Sequence, residues 1–455
     1  MTAPLRELVD RGPMSRFQWT AITVCVLLNV LDGFDVLVMA FTGKSVATEW
    51  GLTPGQLGLL LSAGLVGMTL GSLFVAPFAD RIGRRPTILI CLVVASTGML
   101  LSAASQDGLQ LGLLRVLTGI GIGGILAGSN VIATEYASKR WRGLAVSLNS
   151  LGYAVGATVG GLLAVTLISG PGWRAVFLVG GLGTLAAVPI VVFALPESMD
   201  HLLSRRPRNA LERINALARR MGVPTLDAMP ATDDSTRRAG GLVDNFRSLL
   251  EPGLRRSTLV LWGVFFLVVA GFYFVTSWTP TLLVEAGMSA SEGLTGGTLL
   301  NLGGMLGATL FGVLASRWAL RTVLASYLVL TAGALLLFVL SLSSLTTAFA
   351  AGALLGLFVN GCLAGLYSLT PNVYPTEVRA TGVGTVIGVG RIGAILSPAV
   401  AGFLLQGGWT PQSLYIAFAV VFLAGAALLL LLRAPDAVRA PERGPVKQLA
   451  AESSV

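Results

Sequence analysis

Twelve long apolar runs set the terms for everything else this 455-residue chain can fold into. They cover residues 19–41, 57–78, 86–105, 110–134, 143–168, 173–194, 257–280, 293–315, 320–341, 347–371, 383–406 and 411–433. A run of about 20 apolar residues matches the hydrocarbon thickness of a bilayer. Lipid offers no partner to an unpaired backbone group, so each run is expected to be a helix. Only 12% of the residues are charged, where soluble domains carry about 25%. The expected fold is an all-α, polytopic membrane protein.

The net charge of +9 does not describe a nucleic-acid surface, because the basic residues sit in the short loops between apolar runs. With the N-terminus placed in the cytoplasm, 27 of the 31 Lys and Arg fall in cytoplasmic segments. The outer loops hold only Lys44 and Arg174, and Arg115 and Arg391 lie inside spans. The bias predicts cytoplasmic termini and a cytoplasmic central loop. Three cysteines, Cys25, Cys91 and Cys362, lie within apolar runs and read as packing residues. The single histidine, His201, lies in a polar loop, so an enzyme built on His or metal chemistry is not expected, nor is any cofactor. The first apolar run is too long, and too acidic, for a cleaved signal peptide.

The two halves echo each other. Gly71–Pro86 closes span two and Gly307–Arg321 closes span eight; Tyr136–Gly143 follows span four and Tyr374–Gly382 follows span ten. Such repetition builds many secondary transporters, with the substrate site at the midplane between repeats. The expected organisation is two pseudo-symmetric six-helix bundles, 1–194 and 257–433, joined by a cytoplasmic loop, 195–256, and ending in a cytoplasmic tail, 434–455. Within the loop, Asn209–Met221 reads as a basic amphipathic helix, either on the membrane surface or as a solvated linker.

Span one carries Asp32 and Asp35 in the wrong solvent. Carboxylates at this depth cost several kcal/mol unless paired, protonated or facing water. Three residues apart, they share a helix face, which Asn29 extends. An acid removed from water is suited to taking a proton on one side and releasing it on the other; the alternative is a structural polar contact. Either acid, or the two as a coupled pair, is open as the proton carrier. In span eleven Arg391 stands in a glycine-rich stretch as one buried cation. A guanidinium grips a carboxylate with two parallel hydrogen bonds, so Arg391 is a candidate for an anionic substrate, or else a static partner of a span-one aspartate. In span four Arg115 shares a face with Gly119 and Gly123. One reading is a packing ladder with the arginine snorkelling outward. Gly119–Gly124 also fits G-x-G-x-x-G, but that fingerprint needs a preceding strand. Gly152, Gly156 and Gly160 in span five form a similar ladder, and close helix packing explains both. No P-loop is evident, so ATP is not the expected energy source.

Gly71 with Asp80-Arg81-Ile82-Gly83-Arg84-Arg85, Arg115 with Gly119, Gly121 and Gly123, and Pro196-Glu197-Ser198 together resemble the signatures of the major facilitator superfamily. Within it, Asp32-Gly33-Phe34-Asp35, Ser277-Trp278-Thr279-Pro280 and Arg391 resemble the bacterial aromatic acid/proton symporters. The loop Ala315-Ser316-Arg317-Trp318 departs from the pattern by lacking the acid of the first-half loop. The resemblance implies proton-coupled uptake of a small aromatic carboxylate (a hydroxybenzoate, gentisate, protocatechuate, vanillate or benzoate) through the bacterial cytoplasmic membrane, by a chain that acts as a monomer. It implies a part in proton transfer for Arg115. It implies a gate latch for Asp80, Arg81, Gly83, Arg84 and Arg85, with Glu135 and Arg142 as partners. Helices one, seven and ten line the cavity of that fold, so Phe34, Tyr273, Trp278 and Tyr367 are candidates for a ring-shaped substrate, each with a packing or lipid-facing alternative. Phe274 belongs with them, and the buried amides Asn130, Asn301 and Asn360 are candidates for a ring hydroxyl or for bonds across helices. Rival readings are transport of another organic anion, a drug/proton antiporter of the same fold, and a sensor; Arg391 in the cavity weighs against cationic drugs.

Overall fold

Each apolar run forms one helix. The computed structural model describes residues 8–10, 12–229, 242–342, 344–375 and 378–432, apart from the side chains of 76, 80, 242–245 and 380. The twelve spans are α1 (Arg16–Trp50), α2 (Pro54–Ala79), α3 (Arg84–Ala103), α4 (Gly108–Tyr136), α5 (Arg142–Ser169), α6 (Trp173–Ala194), α7 (Arg255–Glu285), α8 (Ala290–Ala315), α9 (Leu320–Leu340), α10 (Leu345–Val373), α11 (Arg379–Gln406) and α12 (Pro411–Leu430). No strand occurs among the described residues. The expected tail, 434–455, lies outside them.

Span one is the element that outruns its apolar stretch. A capping box on Ser15 starts it, and Gly51 in the left-handed conformation ends it. The polar turns after Phe41 stay helical because tertiary partners hold them. Glu49 accepts hydrogen bonds from Trp173 Nε1 (2.6 Å) and Arg174 Nη1 (2.7 Å), and Trp50 packs edge-to-face on Trp173. Span two contains a π-helical turn at Gly71–Val75 before it reaches the loop.

Close approach of backbones builds each bundle. A Cβ at Gly33 would overlap the carbonyl of Tyr153, and one at Gly156 would overlap that of Val30. Glycine in the middle of Asp-Gly-Phe-Asp is therefore what lets α5 lie directly on α1. The span-four glycines work the same way. Gly119 and Gly123 face α2, while Gly121 and Gly124 face α3. Helix packing, with no nucleotide loop, accounts for that pattern.

The repeat seen in the sequence is visible in the anchors. In the first half Arg85 on α3 donates to the Val192 carbonyl on α6; in the second, Arg321 on α9 donates to that of Leu430 on α12 (2.6 Å). Arg142 Nε donates to the Thr134 carbonyl (3.3 Å), and Arg379 Nε to that of Tyr374 (3.2 Å). Among the described residues of the loop between the bundles are three short helices, Met199–Arg205, Ala210–Met221 and Leu242–Leu249. Ala210–Met221 is the expected amphipathic helix. Its Ile214, Ala218 and Met221 are buried, and Arg220 lies 5.1 Å from the centre of the Phe17 ring on α1. It docks on the first bundle and is not a free linker.

Among the described residues, the hydrogen bonds between the bundles lie at one end. They are Lys44 Nζ to Glu285 Oε1 (3.2 Å) and Ser62 Oγ to the Ile395 carbonyl (2.7 Å). Both lie toward the end opposite the arginine-rich loops. There Gly58 and Gly402 bring α2 and α11 into backbone contact, and Gly161 on α5 packs against Thr298 on α8. On the arginine-rich side of the seam, Gly384 and Gly388 of α11 face open space.

Candidate functional site

The midplane holds one group of charged and aromatic side chains contributed by both bundles. Asp32 on α1 lies within electrostatic reach of Asp35 and of Arg391 on α11. Around them stand Tyr153 (α5), Tyr273 (α7) and Tyr367 (α10). Tyr153 lies within electrostatic reach of Asp32 and both other tyrosines, Tyr273 of Arg391 and Asp32, and Tyr367 of Arg391. Tyr367 is 50% exposed although it lies well within a membrane span. Arg391 is one helical turn, about 6 Å of rise, from Ile395 at the seam. The group therefore sits just inside the sealed end and opens toward the arginine-rich end.

The two aspartates are separated by what they touch. Asp35 receives both prongs of Arg115, Nη1 to Oδ1 at 2.8 Å and Nη2 to Oδ2 at 2.9 Å, and Nη2 also donates to the Asp35 carbonyl at 3.1 Å. Both side chains are almost wholly buried, at 2% and 3% exposure. The guanidinium also lies 5.8 Å from the centre of the Phe177 ring, and Gly64 leaves it room on α2. Arg115 does not snorkel outward: a carboxylate one helix away holds it inside. Asp32 has no such partner. Its Oδ1 is buried without a hydrogen bond among the described residues. The static pair considered between Arg391 and a span-one aspartate is not formed here, because Arg115 takes the one aspartate and Arg391 touches neither.

Several sequence candidates go elsewhere. The Phe34 ring is wedged between Gly160 on α5 and Gly180 on α6. Trp278 is fully buried, with Nε1 donating to the Pro398 carbonyl (3.0 Å), so it ties α7 to α11. Phe274 stacks on Phe418 at 3.9 Å, inside the second bundle. Asn29 and Asn301 donate back into their own helices, to Cys25 and Gly297 (3.0 and 2.9 Å). Asn360 does likewise to Gly356 (3.1 Å), and Asn130 accepts from Asn149 on α5 (2.7 Å). These are packing and cross-helix contacts, which single residues in an apolar run do not distinguish from cavity positions. Tyr153 escaped the sequence reading. Its signal was a lone tyrosine beside ladder glycine Gly152, offset from the face that α1 covers.

At the arginine-rich end the latch candidates form a tight network. Gly83 (φ 108°) makes the turn between α2 and α3, a conformation side chains resist. Arg84 Nη1 pairs with Glu135 Oε1 at 2.9 Å. Glu135 also accepts from Ser198 Oγ (2.9 Å) and the Met199 amide (3.0 Å). Glu197 Oε1 accepts from the amides of Arg84 (2.8 Å), Arg85 (3.3 Å) and Ser198 (2.9 Å), capping α3. Arg81 is exposed, and the Asp80 side chain lies outside the described residues. Arg142, the other expected latch partner, stays out of the network and pairs with Asp10 Oδ1 at 2.5 Å. Glu197 and Ser198 complete the network in its place.

Two repeated six-helix bundles, sealed on one another at one end around charged groups at the midplane, define a membrane transporter. Residues 23–319 and 297–453 match the Major Facilitator Superfamily, and the chain belongs to that family, one of transporters and not of enzymes. It is 33% identical over 448 residues to the gallate transporter of Pseudomonas putida, covering 96% of this chain and 98% of that one. It is 32% identical over 436 residues to a 4-hydroxybenzoate transporter of Pseudomonas aeruginosa, covering 94% and 95%. Among solved structures, a D-xylose–proton symporter shares the fold at a TM-score of 0.71 and 16% identity, covering 90% of this chain and 97% of that one.

Proposed function

We propose that this chain imports a small hydroxylated aromatic carboxylate together with a proton, by alternating access, across the bacterial cytoplasmic membrane. The observation that carries the reading is Arg391, a midplane guanidinium with no ion-pair or hydrogen-bond partner among the described residues, near Tyr273 and Tyr367 and facing Asp32, with Tyr153 on the Asp32 side. The relatives named for gallate and 4-hydroxybenzoate support the ligand class, since each is a hydroxylated ring with one carboxylate.

In this reading the substrate carboxylate takes the fork of Arg391. Tyr153, Tyr273 and Tyr367 offer ring faces and hydroxyls to the aromatic ring and its substituents. Asp32 carries the proton, because Asp35 is already committed to Arg115. Coupling follows from charge. An ionised Asp32 repels an incoming anion and competes for Arg391; a protonated Asp32 does neither. Proton and anion thus favour each other's binding, and the favour is reciprocal. The halves 1–194 and 257–433 then rock about the site, tethered by the 195–256 loop. One chain supplies the whole site, so we read it as a monomer.

The positive-inside rule puts the arginine-rich end, the central loop and both termini in the cytoplasm. The conformation is then inward-open, with Lys44–Glu285, Ser62–Ile395 and the Gly58–Gly402 contact as the outer seal. Gly83, Arg84, Arg85 and Glu135, with Asp80 and Arg81 beside them in the chain, belong to the cytoplasmic gate latch.

The test is uptake of labelled gallate, 4-hydroxybenzoate, benzoate and a non-aromatic acid by cells expressing wild type, Asp32→Asn or Arg391→Lys, with and without a protonophore. Saturable uptake of an aromatic acid, abolished by the protonophore and by either substitution, is expected. Uptake indifferent to the protonophore and to Asp32→Asn would overturn the proton role, and uptake of the non-aromatic acid alone would overturn the ligand class.

A further inference from the structure

A second cavity lies far from the midplane. It is a groove of about 690 Å³ on the flank of the first bundle, at the arginine-rich end, between α3, α6 and the docked helix Ala210–Met221. That volume falls in the range of small-molecule sites. Its walls differ along their length. Toward the membrane it is bounded by Leu89, Val192 and Phe193, and the Phe193 ring is 84% exposed on the lipid-facing surface. Toward the loop end it is bounded by Arg85, Arg213 and Arg220.

The positive charge there is not cancelled within the groove. Glu197 is the acid on its wall, and that carboxylate is taken up by three backbone amides at the start of α3 and of the next short helix. Arg85 spends one nitrogen on the Val192 carbonyl, while its buried Nε has no partner among the described residues. His201, 9% exposed and on the same wall, also has an unpartnered ring nitrogen, Nδ1. Buried polar atoms seldom go without partners, so the orphaned Arg85 Nε–H, a donor in a basic groove, marks a place for an acceptor. Val192 and Phe193 on the apolar wall are themselves exposed on the flank of α6, a membrane span. Basic pockets between membrane helices on the cytoplasmic side suit anionic headgroups.

We infer that this groove is a binding site for an anionic phospholipid of the inner leaflet. The phosphate lies among Arg85, Arg213 and Arg220, and the acyl chains run along Leu89, Val192 and Phe193. The site is independent of the substrate reading above and needs only that the chain be embedded in a bilayer. It also gives the docked helix a purpose: that helix supplies two of the three arginines.

The purified full-length protein in detergent is irradiated with phosphatidylglycerol bearing a photoreactive acyl chain, and the adducts are mapped by peptide mass spectrometry. Adducts on α3 and α6 around Leu89 and Phe193 are expected. They should be competed by unlabelled phosphatidylglycerol and not by phosphatidylcholine of the same chains. Arg213→Gln should weaken labelling about fivefold, the worth of one arginine at an anionic surface. Ala216→Trp, which fills the groove without changing charge, should abolish it. Arg219→Gln, one position off the groove wall, should leave it intact. Equal competition by phosphatidylcholine, or labelling unaffected by Ala216→Trp, would overturn the site. Displacement by inorganic phosphate alone would show a free-phosphate site and overturn the lipid assignment.

Discussion

The contact between α2 and α11 is the place where one atom should decide which way the carrier faces. A Cβ added at Gly58 would lie 2.5 Å from the Pro398 carbonyl oxygen, 3.1 Å from the Ala399 Cα and 3.2 Å from the Gly402 Cα. All three are backbone atoms, so no side chain can swing away. Relief requires the helices to part by about 1 Å, and overpacked contacts of this kind cost about 1–3 kcal/mol. The clash exists only while the seam is closed. Gly58→Val therefore penalises this conformation and not the one in which α2 and α11 have separated, shifting the balance about 5–150-fold toward the latter. Nitroxide labels at Gln106 and Gln412, on the outer ends of opposite bundles, would report it by pulsed electron resonance. The longer-distance population should rise in Gly58→Val, and net uptake should fall because the outer seal forms poorly. Gly388→Val is the counterpart. Nothing lies within 4 Å of a Cβ there, so it should leave this conformation intact. A folded Gly58→Val protein with wild-type distances and wild-type uptake would refute the argument.

Three further expectations follow from the same geometry. Arg115→Met strands the buried Asp35 charge and should cost about 3–5 kcal/mol; adding Asp35→Leu should recover most of the lost thermal stability, measured by size-exclusion after heating, while uptake stays absent. Phe34→Leu should lower stability through the void between Gly160 and Gly180 and leave the half-saturating substrate concentration unchanged, whereas Tyr153→Phe should raise that concentration with stability unchanged; the reverse pattern would return Phe34 to the cavity. Gly83→Ala forces a side chain into a glycine-only backbone region at about 1–3 kcal/mol, which a drop in melting temperature would register and an unchanged one would contradict.

The hydrophobic patterning was enough to place all twelve spans. Their boundaries shifted mainly where tertiary partners took over, as at Glu49 and Trp50, which prolong α1 by binding Trp173 and Arg174. The glycine ladders were legible because close packing demands small residues at helical spacing. The depth of Asp32, Asp35, Arg115 and Arg391 in apolar runs was legible for the same reason: charge in hydrocarbon stands out in any reading of the chain.

What the chain alone did not determine is who meets whom. Asp32 and Asp35 are equivalent by spacing, yet only Asp35 meets Arg115, because α4 crosses α1 at that level with Gly64 leaving room for the guanidinium. Phe34 and Trp278 had the same credentials as Tyr273 and Tyr367, and rotation about the helix axis turned the first two into packing and the second two toward Arg391. Glu135 and Arg142 were equal candidates for partners of the latch by their place in the loop after span four, but only Glu135 meets Arg84, while Arg142 pairs with Asp10. Periodicity fixes which residues lie in the membrane and which share a face. The azimuth of each helix in its bundle, and so the identity of every long-range partner, is set by packing between residues tens to hundreds of positions apart, which only the assembled structure decides.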